Sequence, residues 1–365
     1  MNYLILSSYF RNGTRNSGDA LITTSLEKIL YNLKGNHVNI DIVYLKEKPR
    51  IAKLKTNYAA ILSPSLRITV EGEKVAPTYR NEYMDFALKH DIPVYVIGAG
   101  WKQYPGTKQQ SLQLPLAQHE QKLFQLINKN KGLISTRDVY TENVLEKHQV
   151  SSVGTTGDLG LFDTDLLNTP PKLPKNISTI AISLPHNFYH FDKCREMARY
   201  LIRQYDCPVK ICCHGYADDT FQQISQKWPE PSIEIVDLSG GANKLDFYKD
   251  IDLHVGFRLH AHIWFLRNRK PSLLLAEDGR STGHLETISG LGYSVSPISA
   301  RVFSEFFPIE TDQLKSTFQR EEPTNAMYQL LEDEITSGFK ATKNSLVKID
   351  ALWQKKMKPM LDLIP

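Results

Sequence analysis

The chain has 365 residues, 41% of them hydrophobic and 23% charged, with a formal net charge of +4. That length exceeds the usual size of one core and predicts two domains. The composition is that of a soluble globular protein; its mild basicity suits a small anionic ligand, and the lack of a basic stripe interleaved with aromatics argues against nucleic acid. No stretch approaches the roughly 18 apolar residues that span a bilayer, so no transmembrane helix is expected.

Met1-Asn2-Tyr3-Leu4-Ile5-Leu6 is too short and uncharged for a signal peptide and reads as part of a first strand, Tyr3 to Ser7. Asn16-Ser17-Gly18-Asp19 then opens a helical stretch from Asp19 to Leu33. Glycine there lets backbone approach a ligand, and the free N–H groups of a helix start suit an anion or hydroxyl. The plainer reading is a capped helix with Asp19 in its first turn. Strands are predicted at Val38 to Tyr44, Ala59 to Leu62 and Pro93 to Ile97, with a helix over Asn81 to His90.

Ile97-Gly98-Ala99-Gly100-Trp101 closes the last of these strands. Gly98 and Gly100 would let a substrate lie against the backbone and Trp101 would stack on a sugar; a tight turn explains the glycines equally well. A helix is predicted over Gln118 to Asn128, a strand over Gly132 to Thr136 and a helix over Val139 to Lys147. Where the last two join, Arg137 would point to a cleft and Asp138 would cap the helix, against a surface ion pair as the plainer reading. Gly157-Asp158-Leu159 reads as a strand-end turn near that cleft. Such β–α alternation implies a parallel sheet covered on both faces.

A proline-rich stretch, Leu166 to Lys175, reads as a linker. The alternation then restarts. Strands are predicted at Thr179 to Leu184, Val209 to Cys213, Ile233 to Val236, Leu253 to Gly256 and Ser272 to Leu275, and helices at Asp192 to Tyr205, Lys244 to Lys249 and Ala261 to Arg267. The expected fold is α/β, with two Rossmann-like domains facing across a cleft and the ligand between their carboxyl edges. The expected limits are 1–168, 176–340 and a C-terminal helix, 341–365, packing across both. The tail from Thr311 reads as mostly helical, and Lys343 to Leu363 is amphipathic with Lys355, Lys356 and Lys358 near one face. A weak contact with an anionic membrane surface is the alternative to packing. No solenoid repeat or low-complexity tract occurs.

The most informative stretch is Asp252 to Ile263. It is a short strand ending in Gly256, then Arg258 and His260 where a helix begins. That junction is the carboxyl edge of a strand, where ligands bind in such sheets. An arginine there can fork onto a phosphate or carboxylate, and a histidine two residues on can move a proton. The plainer reading, a buried ion pair and a core histidine, leaves two polar groups costly to bury. Cys213-His214-Gly215-Tyr216 also closes a strand, with His214 reaching the cleft or serving as a structural histidine. Arg280 and His284 flank a glycine turn entering a short helix, a place suited to phosphate or, on the plainer reading, to packing alone. Cys194, Cys207, Cys212 and Cys213 lack zinc-ligand spacing, so reduced thiols in a cytoplasmic protein are expected. Attachment to the inner face of the membrane is the alternative location.

These pieces, in this order, resemble the polysaccharide pyruvyl transferase family. The matching segments are Asn16-Ser17-Gly18-Asp19, Ser135-Thr136-Arg137-Asp138 and Asp252 to Ala261 carrying Gly-x-Arg-Leu-His-Ala, over roughly Met1 to Gly292. The resemblance implies a two-domain GT-B architecture and phosphoenolpyruvate, rather than a nucleotide sugar, as donor. It implies that Arg137, Arg258, Leu259 and His260 line the phosphoenolpyruvate pocket, with the acceptor on the first domain and the donor on the second. Two departures stand out: Ser63-Pro64-Ser65 replaces a glycine cluster, and Ser183 is followed by Leu184-Pro185-His186 where an arginine is usual.

The chemistry so implied needs a general acid, with His260 first and His214 or His284 next, and arginines for the carboxylate and phosphate, with Arg137, Arg258 and Arg280 as candidates. Asn16, Gly18 and Asp19 complete the expected substrate-binding set, with Gly98 and Gly100. No cofactor or metal is required, phosphoenolpyruvate being a co-substrate, and the acceptor would be a sugar or a lipid-linked oligosaccharide. The rival readings are a GT-B glycosyltransferase using a nucleotide sugar and a non-catalytic sugar-binding partner.

Overall fold

The computed structural model describes every residue except 10–15, 36, 74–77, 104–105, 187–189, 216–225, 227–232 and 296–322. Tyr216 and residues 311–322 of the predicted helical tail therefore lie outside the described residues. In the first half, alternating apolar runs and amphipathic stretches fold as β1 (Asn2–Ser7), α1 (Ser17–Lys34), β2 (Asn39–Tyr44), β3 (Ala60–Pro64), β4 (Arg67–Ile68), α2 (Arg80–Lys89), β5 (Val94–Trp101), α3 (Lys108–Gln113), α4 (Gln118–Lys129), β6 (Leu133–Thr136) and α5 (Val139–Lys147). The second half continues with β7 (Ile180–Ser183), α6 (Phe191–Tyr205), β8 (Val209–Cys213), β9 (Ile233–Asp237), β10 (Leu253–Gly256), α7 (Leu259–Arg267), β11 (Ser272–Ala276), α8 (Gly279–Ile288) and β12 (Gly292–Ser294). The tail adds α9 (Pro323–Thr336), α10 (Lys340–Leu352) and α11 (Lys358–Asp362).

The first sheet has the order β2-β1-β3-β5-β4, with β6 also on β5; the second has the order β12-β11-β10-β7-β8-β9. All pairings within them are parallel. Strand order reverses between β1 and β3 in one and between β7 and β10 in the other, the doubly wound pattern whose ligands bind beyond the strand ends at the reversal. Two Rossmann-like halves so arranged are the GT-B-like architecture.

The period of two along each strand divides the core. Tyr3, Ile5, Leu62, Tyr95 and Ile97 join a cluster with Ala181, Cys212 and the helix residues Ile263 and Phe265 from the second half. Leu4, Leu6, Ile61, Val94 and Val96, one residue out of step, fill a separate core of the first half. Ile180, Ile182, Val209, Ile211 and Val255 do the same in the second. The C-terminal helix seals the shared cluster. Trp353 packs on Phe162 with ring centroids 5.4 Å apart, Arg269 forks onto Asp350 at 2.9 Å, and Tyr3 donates to the carbonyl of Pro365.

Beyond the additional elements β4, α3 and β12, three of the expected elements take a different form. β5 runs on through Gly98-Ala99-Gly100-Trp101 because β4 pairs with Gly100 and Trp101 and β6 with Ala99. Lys244 to Lys249 lies within a 3₁₀ segment, Ala242–Asp250, rather than an α-helix. The amphipathic tail is interrupted by a π-helical turn, Trp353–Met357, between α10 and α11. Among the described residues no helix is long and apolar enough to cross a membrane. All four cysteines are buried, and burial pushes the thiols of Cys207 and Cys213 up, to about 11 and about 12.

Candidate functional site

The junction after β10 is built by close packing. A Cβ on Gly256 would meet Ser183 Oγ at 2.5 Å and Ser183 N at 2.6 Å, so only glycine lets β10 lie so close to β7. Ser183 Oγ then accepts the backbone N–H of Arg258 at 3.0 Å. Below it runs a buried polar chain: Ser183 Oγ is 2.8 Å from His254 Nε2, and Ser272 Oγ is 2.7 Å from both His254 Nδ1 and His262 Nδ1. Burial pushes His254 down to about 3, so this chain is neutral. It ties β7, β10, β11 and α7 together under the arginine. Arg258 is the N-cap of α7 without capping through its side chain; its Nη1 lies 2.6 Å from His186 Nδ1. His186 therefore stands beside Arg258, in the segment where the resemblance leads to the expectation of an arginine.

Arg258, Leu259 and His260 line one cleft with Asn16, His214 and Arg280. Its far wall is the start of α8. There Asp278 caps Arg280 N and Ser281 N and binds the Arg280 guanidinium at 2.6 Å. Burial would raise the Asp278 carboxyl, but Arg280 outweighs it and holds it below the usual range. Glu277, also lining the cleft, accepts the backbone N–H of His186 at 2.8 Å. Lys102, just past β5, is pushed down to about 8 by burial and by Arg280.

From the other half comes the start of α1. Asn16 is its N-cap, accepting from Gly18 N at 3.2 Å, and it lines the cleft. Gly18 does not line it. A Cβ there would collide with the ring of His260, so the glycine makes room for that histidine rather than for a ligand. Asp19 sits in the first turn, outside the lining.

Behind His260 lies a charged group, carried by the turn Gly157-Asp158-Leu159. Asp158 Oδ2 is 3.7 Å from His260 Nε2 and 3.6 Å from Arg137 Nη1. Burial would raise this carboxyl, yet Arg137 and then His260 hold it well below the usual range. Arg137 is 5% exposed and stands behind the cleft rather than on its wall. Asp138 caps α5, accepting Thr141 N at 2.8 Å. Gly100 leaves space for the Arg137 side chain, since a Cβ there would lie 2.6 Å from its Nε. Gly98, at φ 71°, packs against the carbonyl of Gly157. The two glycines thus seat Arg137 and its neighbouring turn instead of a substrate. The expectation for Trp101 is corrected likewise: it is fully buried against Gly279 and does not stack on a sugar.

The remaining histidines have fixed surroundings. His214 has both ring nitrogens engaged, Nδ1 with Ser17 Oγ at 3.3 Å and Nε2 with Tyr248 OH at 2.6 Å. Burial and Arg258 hold its pKa well below the ordinary value, so it faces the cleft as a neutral wall. His284 lies outside the lining, edge-on to His262 at 5.5 Å, and is pushed down to about 4 chiefly by burial. Asp158 was legible only as Gly157-Asp158-Leu159; no local pattern distinguishes it from a capping aspartate, which it also is, accepting Gly160 N at 2.8 Å.

No curated protein matches the sequence. A structure described as the S. aureus MnaA-UDP co-structure is 13% identical, covering 86% of this chain and 89% of that one, with a TM-score of 0.49. A putative UDP-N-acetylglucosamine 2-epimerase from Listeria monocytogenes is 11% identical over 93% of this chain and 96% of that one, at TM-score 0.49. UDP-GlcNAc 2-epimerase from Neisseria meningitidis, bound to UDP-GlcNAc, is 12% identical over 91% and 100%, at TM-score 0.48. The family model for polysaccharide pyruvyl transferase matches residues 16–279, well over half the chain, and runs from the Asn16 cap to the start of α8. The chain belongs to the polysaccharide pyruvyl transferase family.

Proposed function

We propose that this protein transfers the pyruvyl group of phosphoenolpyruvate onto two hydroxyls of a sugar, forming a cyclic ketal. The observation that carries this is the convergence of Arg258, Arg280 and His260 on one cleft, with Arg137 directly behind. The donor carries a carboxylate and a phosphate, and two or three guanidinium groups match that pair of anions. Chemically, the enol methylene carbon takes a proton and a sugar hydroxyl bonds to the adjacent carbon. The C–O bond to phosphate breaks and a second hydroxyl closes the ring; of the two hydroxyl protons, one restores the general acid and the other leaves with inorganic phosphate.

His260 is the acid in this scheme because His214 is tied through both nitrogens and His284 lies outside the cleft. Arg258 and Arg280 hold the leaving phosphate, and Arg137 balances the charge behind His260. The second half, from about residue 176, carries the donor, and the first half, ending near 168, presents the acceptor beside α1. The test is incubation with phosphoenolpyruvate and a panel of sugars, including lipid-linked oligosaccharides. Acceptor-dependent release of one phosphate per pyruvylated product is expected. No release with any acceptor, alongside transfer from a nucleotide sugar, would overturn the proposal.

A further inference from the structure

His260 has two ring nitrogens, and only one can meet the substrate. Its Nε2 is turned toward Asp158, and Nδ1 lies over Gly18 at the first turn of α1. Asp158 is 2% exposed and uses Oδ1 to cap Gly160 N, leaving Oδ2 for other partners. That Oδ2 and His260 Nε2 are both buried without a hydrogen-bond partner among the described residues, 3.7 Å apart. An ionised carboxylate only accepts hydrogen bonds, so the single hydrogen it can take from this ring is the one on Nε2. A shift of about 1 Å brings the pair to charge-assisted hydrogen-bond length. The neighbouring imidazole, His284, is kept neutral by burial and offers Asp158 no competing charge.

We infer that Asp158 is the positioning residue of this site, fixing His260 with its Nε2–H toward the carboxylate so that Nδ1 exchanges the proton with substrate. The direction of that proton transfer rests on the pyruvyl-transfer reading; the Asp158–His260 pairing does not. Arg137, 3.6 Å from the same oxygen, keeps Asp158 ionised and so able to accept.

Nitrogen-15 spectra of the full chain labelled at histidine decide the pairing, the His260 signals being assigned by their loss in His260→Gln. The wild type is expected to hold neutral His260 as the Nε2–H tautomer. Asp158→Asn keeps an Oδ1 for Gly160 N while removing the charge, so it should fold and lose that tautomer preference. Phosphate release from phosphoenolpyruvate should fall about 100-fold or more in kcat, with KM for phosphoenolpyruvate little changed. A wild-type Nδ1–H tautomer, or a tautomer unchanged in Asp158→Asn, would overturn the inference. Should the asparagine variant not fold, the wild-type tautomer alone decides. Should the wild type release no phosphate, the pyruvyl-transfer reading fails, and the tautomer comparison still decides the pairing.

Discussion

At the scale of single residues, Arg258 and His260 share a junction but do different work. Arg258 offers a planar fork held from below by Ser183, whose hydroxyl accepts its backbone N–H at 3.0 Å. Lysine would keep the charge and lose the fork. Arg258→Lys is therefore expected to fold with unchanged thermal stability and to lose most of its phosphate release from phosphoenolpyruvate; turnover like the wild type would refute the role. His260→Gln keeps a polar side chain of similar size without a titratable nitrogen. Loss of a positioned acid costs on the order of 100- to 10,000-fold. The variant should fall in that range, and solvent deuterium should enter the pyruvyl methyl group at the same reduced rate. A rate above about a tenth of wild type lies outside that range and would move the acid elsewhere.

At the scale of elements, α1 and α7 meet so closely that one glycine decides the geometry. A Cβ on Gly18 would occupy the place of the His260 ring. Overpacking of this kind costs typically about 1–3 kcal/mol. Gly18→Ala should lower the unfolding free energy measured in urea by that amount. It should also impair turnover beyond what the stability loss explains, because the ring must swing away from Asp158; unimpaired turnover would show that the ring tolerates displacement. Helices and strands were mostly legible because their signals are local: Val139–Lys147, Val209–Cys213 and Leu253–Gly256 match expectation end to end. The run Gly98 to Trp101 was not. Two glycines in four residues read as a strand end, either open to a substrate or turning tightly, whereas strands β4 and β6, distant in sequence, extend β5 through them.

At the scale of the whole molecule, one arginine fastens the halves. Arg267 Nη1 donates to Ser25 Oγ at 2.7 Å and to the carbonyl of Phe162 at 2.9 Å, and Nη2 meets Asp163 at 2.8 Å. Lys28 also holds Asp163, at 2.6 Å. Removing one partner of a buried pair costs about 3–5 kcal/mol; with Lys28 still present, Arg267→Ala should lie near the low end. Urea denaturation measures it, and a change below about 0.5 kcal/mol, the size of an ordinary surface substitution, would show that the fastening is dispensable. Acid should loosen the molecule through its buried histidines. Burial pushes His254 down to about 3, and His190 and His284 down to about 4. The unfolded chain thus binds more protons below pH 6.5, the ordinary histidine value, and stability present above it is lost as pH falls toward 4. Denaturation midpoints at pH 7.5 and pH 5 should show the drop, and His254→Gln should shrink it; an equal midpoint at both pH values would contradict the burial.

The sequence alone determined the kind of molecule and the junction that carries its chemistry. Apolar period, β–α alternation and the Gly256-x-Arg258-Leu259-His260 run are local, and local pattern sets which backbone forms and which strand end a side chain leaves from. Tertiary structure alone decided the partners. Asp158 meets a histidine about a hundred residues later, Gly18 makes room for that same ring, Trp101 is sealed beneath α8, and His214 is spent on Ser17 and Tyr248. All of these except the Tyr248 contact depend on how the two halves pack against each other, and no short-range spacing encodes a contact between residues so far apart in the chain.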